Sequence, residues 1–82
     1  VDAGNANGAY DIGLVYYNGD PGVPQDLVKA YAWFATADAL QPNDKDTLQM
    51  KSEVYSMLPP ADQASAKTLA QQYISQYVKA QN

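Results

Sequence analysis

The chain has 82 residues, a formal net charge of -4, and neither cysteine nor histidine. One small domain spanning residues 1–82 is expected, and the lack of cysteine excludes a thiol nucleophile, a Cys-ligated zinc site and a disulfide framework. The missing histidine removes the usual general base and the commonest metal ligand, and an acidic chain without arginine is a poor partner for nucleic acid.

A first helix is predicted from about residue 5 to residue 18. Small and apolar residues recur there at the spacing of one helical face, namely at Ala6, Ala9, Ile12, Gly13 and Tyr16. Gly19 can adopt the left-handed conformation that ends a helix. The segment 20–24 is rich in Pro and Gly and cannot continue a helix, so it is predicted to be a loop.

A second helix is predicted to start after Asp26, whose carboxylate can accept backbone N–H groups, and to stop near Leu40. It carries Trp33 and Phe34 among alanines. Large side chains on one helix can enter the gaps that small residues leave on the other. The first two helices are therefore expected to form a tight hairpin, with Trp33 in the core.

A third helix is predicted to be capped by Asn43 or Asp44 and to run through Leu58. The prolines that follow force a break, and Pro60 suits the first turn of a fourth helix that reaches about Lys79. Its core face would comprise Ala66, Leu69, Ala70, Tyr73, Ile74 and Tyr77. The predicted fold class is all-α, with two antiparallel helix hairpins stacked as a short α-solenoid.

The first hairpin resembles the tetratricopeptide signature, which it matches in spacing at Ala30, Phe34, Ala37 and Pro42. A longer loop, and Ala9 where that signature has Trp, make it more similar to the Sel-one-like repeat subfamily. This chain is similar to the subfamily's pattern at Ala6, Gly8, Tyr10, Ile12, Gly13, Tyr16, Asn18, Gly19, Gly22 to Asp26, Lys29, Ala30 and Trp33. Pro21 looks inserted, and Asp38 stands where Ala is usual. Residues 4–41 thus resemble a Sel-one-like repeat hairpin.

Residues 43–80 are interpreted as a degenerate or capping helical hairpin of the same type. When the repeat is counted on from Pro42, one possible alignment frame places at signature positions Leu48, Ser52, Tyr55 and Ala64. Ser52 is small where Gly is usual, but Lys51 breaks the pattern at the Leu position. Another frame uses Ala66 and Ala70 instead, and the sequence leaves both frames open.

The resemblance implies a non-catalytic module for protein interaction or assembly, in which the first helix of each hairpin lines a concave face. The candidate partner-binding residues are Asn7, Tyr10, Leu14, Tyr17, Asn18, Asp46, Gln49 and Glu53. Amides can hydrogen-bond a peptide backbone, Tyr gives flat amphipathic contact, and carboxylates favour a basic protein or peptide. The alternative is that these residues are ordinary half-buried or solvated side chains.

Metal binding and catalysis are weaker interpretations. The segment 43–46 superficially suggests a calcium loop, but it lacks the Gly and the distal Glu that such a loop requires, and helix capping explains it better. An enzyme would need paired carboxylates, such as Asp44 or Asp46 with Glu53, in a cleft. A domain of this size has little room for one, so no catalytic residue, metal or cofactor is expected.

Two classes of function are kept open. The resemblance implies an adaptor or assembly repeat within a larger bacterial envelope or secreted protein, whereas the acidic charge also fits a small inhibitor or immunity-type protein that blocks the basic cleft of a toxin or enzyme. The segment could also serve only as the stabilising cap of another domain. A periplasmic or secreted location is expected if the chain is a processed fragment, and no apolar run approaches the ~20 residues of a membrane span.

Overall fold

A computed structural model describes residues 5–78 of the chain. These residues form four α-helices, α1 (Ala6–Asn18), α2 (Leu27–Leu40), α3 (Lys45–Met57) and α4 (Pro60–Tyr73). The last helix continues as a π-helical turn, Ile74–Val78. The described residues contain no strand, so the predicted all-α class with four helices is confirmed. The predicted end of the fourth helix near Lys79 lies outside the described residues.

The first two helices begin and end at the signals that the sequence carries. The Asn5 side chain accepts a hydrogen bond from the Asn7 amide at 2.9 Å, and the Asp26 carboxylate accepts one from the Lys29 amide at 3.1 Å. These bonds satisfy amides that have no partner inside the helix. Gly19 ends α1 with a φ of 74°, a left-handed conformation that glycine adopts without steric cost.

The third helix is capped by Asp44 and not by its neighbour. The Asp44 carboxylate accepts hydrogen bonds from the Thr47 amide at 3.1 Å and from the Thr47 hydroxyl at 2.8 Å. Asn43 instead has a φ of 72°, a left-handed turn conformation that Asn tolerates better than most residues. Pro60 occupies the first position of α4, where its missing N–H costs no helical hydrogen bond.

The pair formed by α1 and α2 is tightly packed around Gly13. A Cβ atom on Gly13 would lie 2.7 Å from the Phe34 ring, so the missing side chain is what lets the two helices approach. Phe34 is fully buried, and the Tyr10 ring lies 5.4 Å from its ring. The loop is fixed by the Asp26 amide, which donates to the Tyr16 carbonyl at 2.9 Å.

Helix α2 is the centre of the molecule. Residues 30–37 are all buried, and α2 packs closely against each of α1, α3 and α4. Small alanines alternate with large rings along it, so neighbouring helices can approach on several sides. Its one buried hydroxyl, on Thr36, donates to the Ala32 carbonyl at 2.8 Å, so that burying this polar group leaves no donor unpaired.

Trp33 lies in the core, as predicted, with 8% of its surface exposed. It packs with Ala9 and Ala37 and lies against the end of α4, its ring centroid 4.5 Å from that of Tyr73 and 5.3 Å from that of Tyr77. Tyr77 belongs to the π-helical turn. This turn thus completes the aromatic cover of Trp33.

The second pair, α3 and α4, is more open than the first. Both helices pack against α2, but few of their Cα atoms come close to each other. Contact between them is made by side chains, for example by the Gln63 amide, which donates to the Tyr55 carbonyl at 3.1 Å. Val54 of α3 and Leu58, which directly follows α3, share the core cluster with Ala66 and Ala70 from α4.

Two residues that depart from the pattern the sequence resembles, Asp38 and Lys51, contact each other. The Lys51 ammonium lies 3.2 Å from the Asp38 carboxylate, and both side chains are partly exposed. The resemblance predicts Ala at position 38 and, in one of the two frames, Leu at position 51, whereas the structure has an ion pair between α2 and α3 at these positions.

Candidate functional site

Helices α1 and α3 share a face that carries most of the predicted partner-binding residues. We call the following set the acidic face: Asn7, Tyr10, Tyr17, Asp44, Asp46 and Glu53. Its first part is a polar depression of about 180 Å³, lined by Ala6, Asn7, Tyr10, Gln41, Asp44, Asp46 and Thr47. The starts of both helices and the end of α2 meet at this depression.

The second part of the acidic face is a direct link between the two helices. The Tyr17 hydroxyl donates to the Glu53 carboxylate at 2.6 Å, across 36 residues of sequence. A hydrogen bond to a charged acceptor is short and strong. It ties the end of α1 to the middle of α3 and fixes the orientation of both side chains.

The negative charge of the face acts on its two tyrosines. Burial raises the pKa of Tyr10, and the nearby carboxylates of Asp46, Asp44 and Asp11 raise it further. The pKa of Tyr17 is also raised, first by its hydrogen bond to Glu53 and then by the charge of that carboxylate. Both hydroxyls therefore stay protonated, and can donate hydrogen bonds, to a higher pH than an ordinary tyrosine hydroxyl.

The other predicted residues lie apart from this arrangement. Leu14 is half-buried and packs against the core cluster around Phe34. Packing within the fold therefore accounts for its position, and no partner is needed to explain it. Asn18 is exposed at the last position of α1. Gln49 is exposed on α3 and does not line the depression. The structure thus brings together Asn7 with Tyr10 and Asp46, and Tyr17 with Glu53.

The acidic face was also considered as a site for a metal ion. The Asp44 carboxylate, which belonged to the suggested calcium loop, accepts both hydrogen bonds of Thr47 and caps α3. Across residues 5–78, no three acidic side chains lie close enough to hold a metal ion together. The chemistry that the acidic face offers is hydrogen bonding and attraction of cations.

A second groove was not predicted from the sequence. It lies where α3 and α4 diverge, has a volume of about 440 Å³, and is lined by Tyr31, Leu48, Lys51, Ser52, Tyr55, Ser56 and Lys67. We call it the α3/α4 groove. One sequence frame marked Leu48, Ser52 and Tyr55 as pattern positions, but the structure leaves Leu48 and Ser52 exposed and Tyr55 half-buried. No signal in the sequence indicated that they line a groove.

Comparisons of this chain with protein families, with characterised proteins and with solved structures found no match. Within the part of the chain that the structure describes, no helix has both the length and the apolar character needed to cross a bilayer.

Proposed function

We propose that this chain is a non-catalytic protein-interaction module of the Sel-one-like type whose acidic face binds a basic segment of a protein partner. The observation that carries the proposal is the polar depression between α1 and α3, in which Asp44 and Asp46 lie beside the amide of Asn7 and the ring of Tyr10. A lysine or arginine side chain complements this combination in charge and in hydrogen bonding.

Electrostatics supports a basic partner. Burial is the first cause of the raised pKa of Tyr10, and the carboxylates of Asp46, Asp44 and Asp11 raise it further, so negative charge lies close to its hydroxyl. A potential of one sign over a surface steers an oppositely charged partner and favours its orientation. Asp44 contributes charge while it caps α3, so binding a cation there does not require the cap to break.

The rigidity of the face also supports binding. The Tyr10 ring is held against the buried Phe34 ring, and Tyr17 is held by Glu53. Two tyrosines fixed in this way offer flat amphipathic surface without losing side-chain freedom on binding. We infer that they support the backbone or the aliphatic stem of a bound lysine while Asp46 pairs with its charge.

The test is a titration of the protein into a fluorescein-labelled Lys-rich peptide, followed by fluorescence anisotropy. Asp46→Lys is expected to weaken binding about tenfold, because it replaces an attractive charge with a repulsive one in the depression. Added salt should weaken wild-type binding, since partly exposed charges are screened.

The matched control is Asp62→Lys. Asp46 and Asp62 are both exposed and both lie in the first turn of a helix, so the two variants change net charge and the interaction with the helix dipole alike. Asp62→Lys should stay within about twofold of the wild type. Equal losses from the two variants would show that net charge alone attracts the peptide, and the proposal would be wrong.

A further inference from the structure

The α3/α4 groove leaves apolar surface uncovered on the side of α3 away from its acidic residues. Leu48 is 41% exposed and lies at its edge, while the Tyr31 and Tyr55 rings, 5.3 Å apart, form its apolar floor. The divergence of α3 and α4 creates this opening, and the buried Tyr31 of α2 lies at its base. A volume of about 440 Å³ is in the range of pockets that hold ligands.

The charge of this groove is opposite to that of the rest of the molecule. None of its lining residues is acidic, and two lysines, Lys51 and Lys67, lie on its walls although the chain as a whole has a net charge of -4. The Lys67 ammonium lies 5.2 Å from the centre of the Tyr55 ring. Lys51 is paired with Asp38, which is the one salt bridge among residues 5–78.

The two lysines therefore differ in how much positive charge each presents to an occupant of the groove. Lys51 is partly neutralised by Asp38, whereas Lys67 is balanced by an aromatic ring, which attracts a cation without cancelling its charge. The Ser52 hydroxyl adds a polar group on the wall that α3 forms. An occupant that fits these features has an apolar side chain for the tyrosine floor and a carboxylate for Lys67.

We propose that the α3/α4 groove binds an acidic amphipathic segment of a protein partner, which inserts an apolar side chain between Leu48 and Tyr55 and pairs a carboxylate with Lys67. This goes beyond the proposed function, because it adds a second binding surface that selects the opposite charge. The two surfaces lie on different sides of α3, so one chain can hold a basic and an acidic segment at the same time.

The probe is a fluorescein-labelled peptide of about 12 to 15 residues, the length at which an isolated helix becomes marginally stable, with Glu on one face and Leu on the other. Its counterpart has Gln at every Glu position. The wild-type chain should bind the acidic peptide about tenfold more tightly than the Gln peptide, because the gain comes from a carboxylate paired with a lysine beside apolar surface.

Two variants locate this binding on the groove. Lys67→Glu should weaken the acidic peptide about tenfold, and Lys45→Glu, an exposed lysine outside the groove with the same change in net charge, should stay within about twofold. Leu48→Ala removes the exposed apolar edge without touching a charge. It should weaken the acidic peptide and leave the Lys-rich peptide of the previous test unaffected.

Several results would overturn the proposal. Equal loss from Lys67→Glu and Lys45→Glu would reduce the effect to net charge. An unchanged affinity in Leu48→Ala would remove the apolar anchor. Sedimentation of the wild-type chain as a dimer that Leu48→Ala converts to a monomer would make a second copy the occupant. Circular dichroism of each variant must match the wild type, and Lys67→Gln offers a milder variant if the Glu form unfolds.

Discussion

The two helix pairs of this molecule use the same central helix in different ways. In the first pair, Gly13 removes the side chain that would separate α1 from α2, and Phe34 fills the space. In the second pair, α3 and α4 both lean on α2 but leave a groove between them. The first pair is closed around a buried ring, whereas the second pair leaves Leu48 exposed beside a groove.

The surroundings of Gly13 and Ser52 illustrate this difference. One of the two frames left open by the sequence gives Ser52 the position of Gly13, yet Gly13 is buried against an aromatic ring and Ser52 lies exposed at the wall of a groove. The same pattern position therefore has a packing role in the first pair and a surface role in the second. The predictions that follow test this contrast, from the largest expected effect to the smallest.

The largest effect is expected from Trp33→Ala. Trp33 is 8% exposed and packs against Ala9 of α1 and against the rings at the end of α4, so its removal leaves a cavity that costs about 3 to 5 kcal/mol. Urea unfolding followed by circular dichroism measures the loss. Tyr55→Ala, in the second pair, should lower the free energy of unfolding clearly less. A near-native unfolding curve for Trp33→Ala would refute the place of Trp33 in the core.

An intermediate effect is expected from Gly13→Ala. Alanine favours a helix over glycine by about 1 kcal/mol, but its Cβ would lie 2.7 Å from a ring that is fully buried and cannot move aside. Overpacking of this kind costs about 1 to 3 kcal/mol, so a net loss of stability is expected.

The matched variant for Gly13→Ala is Ser52→Ala, at the position that one sequence frame aligns with Gly13. It should change the free energy of unfolding by no more than about 0.5 kcal/mol, as exposed substitutions usually do. A Gly13→Ala protein that unfolds at higher urea than the wild type would show that helix propensity outweighs packing here, and the contrast between the pairs would be lost.

The smallest effect is expected from the ion pair between α2 and α3. Asp38→Ala and Lys51→Leu introduce the residues that the Sel-one-like resemblance predicts at these positions. Because both side chains are partly exposed, a double-mutant cycle should give a coupling energy of about 1 kcal/mol or less. A much larger coupling would mean that the ion pair, and not α2 packing, holds α3 in place.

The helices could be predicted because their boundaries depend on neighbouring residues. Gly19, Asp26 and Pro60 act within one helical turn, and the structure places them at helix ends as expected. The choice between Asn43 and Asp44 could not be made from composition, since both residue types cap helices. It depended on which of them adopts the left-handed turn.

The two surfaces proposed to bind partners were only partly predictable, because they join residues that are distant in the chain. Helical spacing indicated that Tyr10 and Tyr17 share a face of α1, but not that Tyr17 would donate to Glu53 across 36 residues. The α3/α4 groove depends on the angle at which two helices diverge. No local pattern encodes that angle, and Lys67 carried no signal of its own.

The central position of α2 has a consequence for how the chain comes apart. Repeat arrays can lose one terminal unit while the others stay folded, since each unit contacts only its neighbours. Here every other helix rests on one strip of buried residues, 30–37, so detaching any of them uncovers the strip that the rest depend on. The chain should thus melt as one cooperative unit, and the slowest amide hydrogen exchange belongs to that strip.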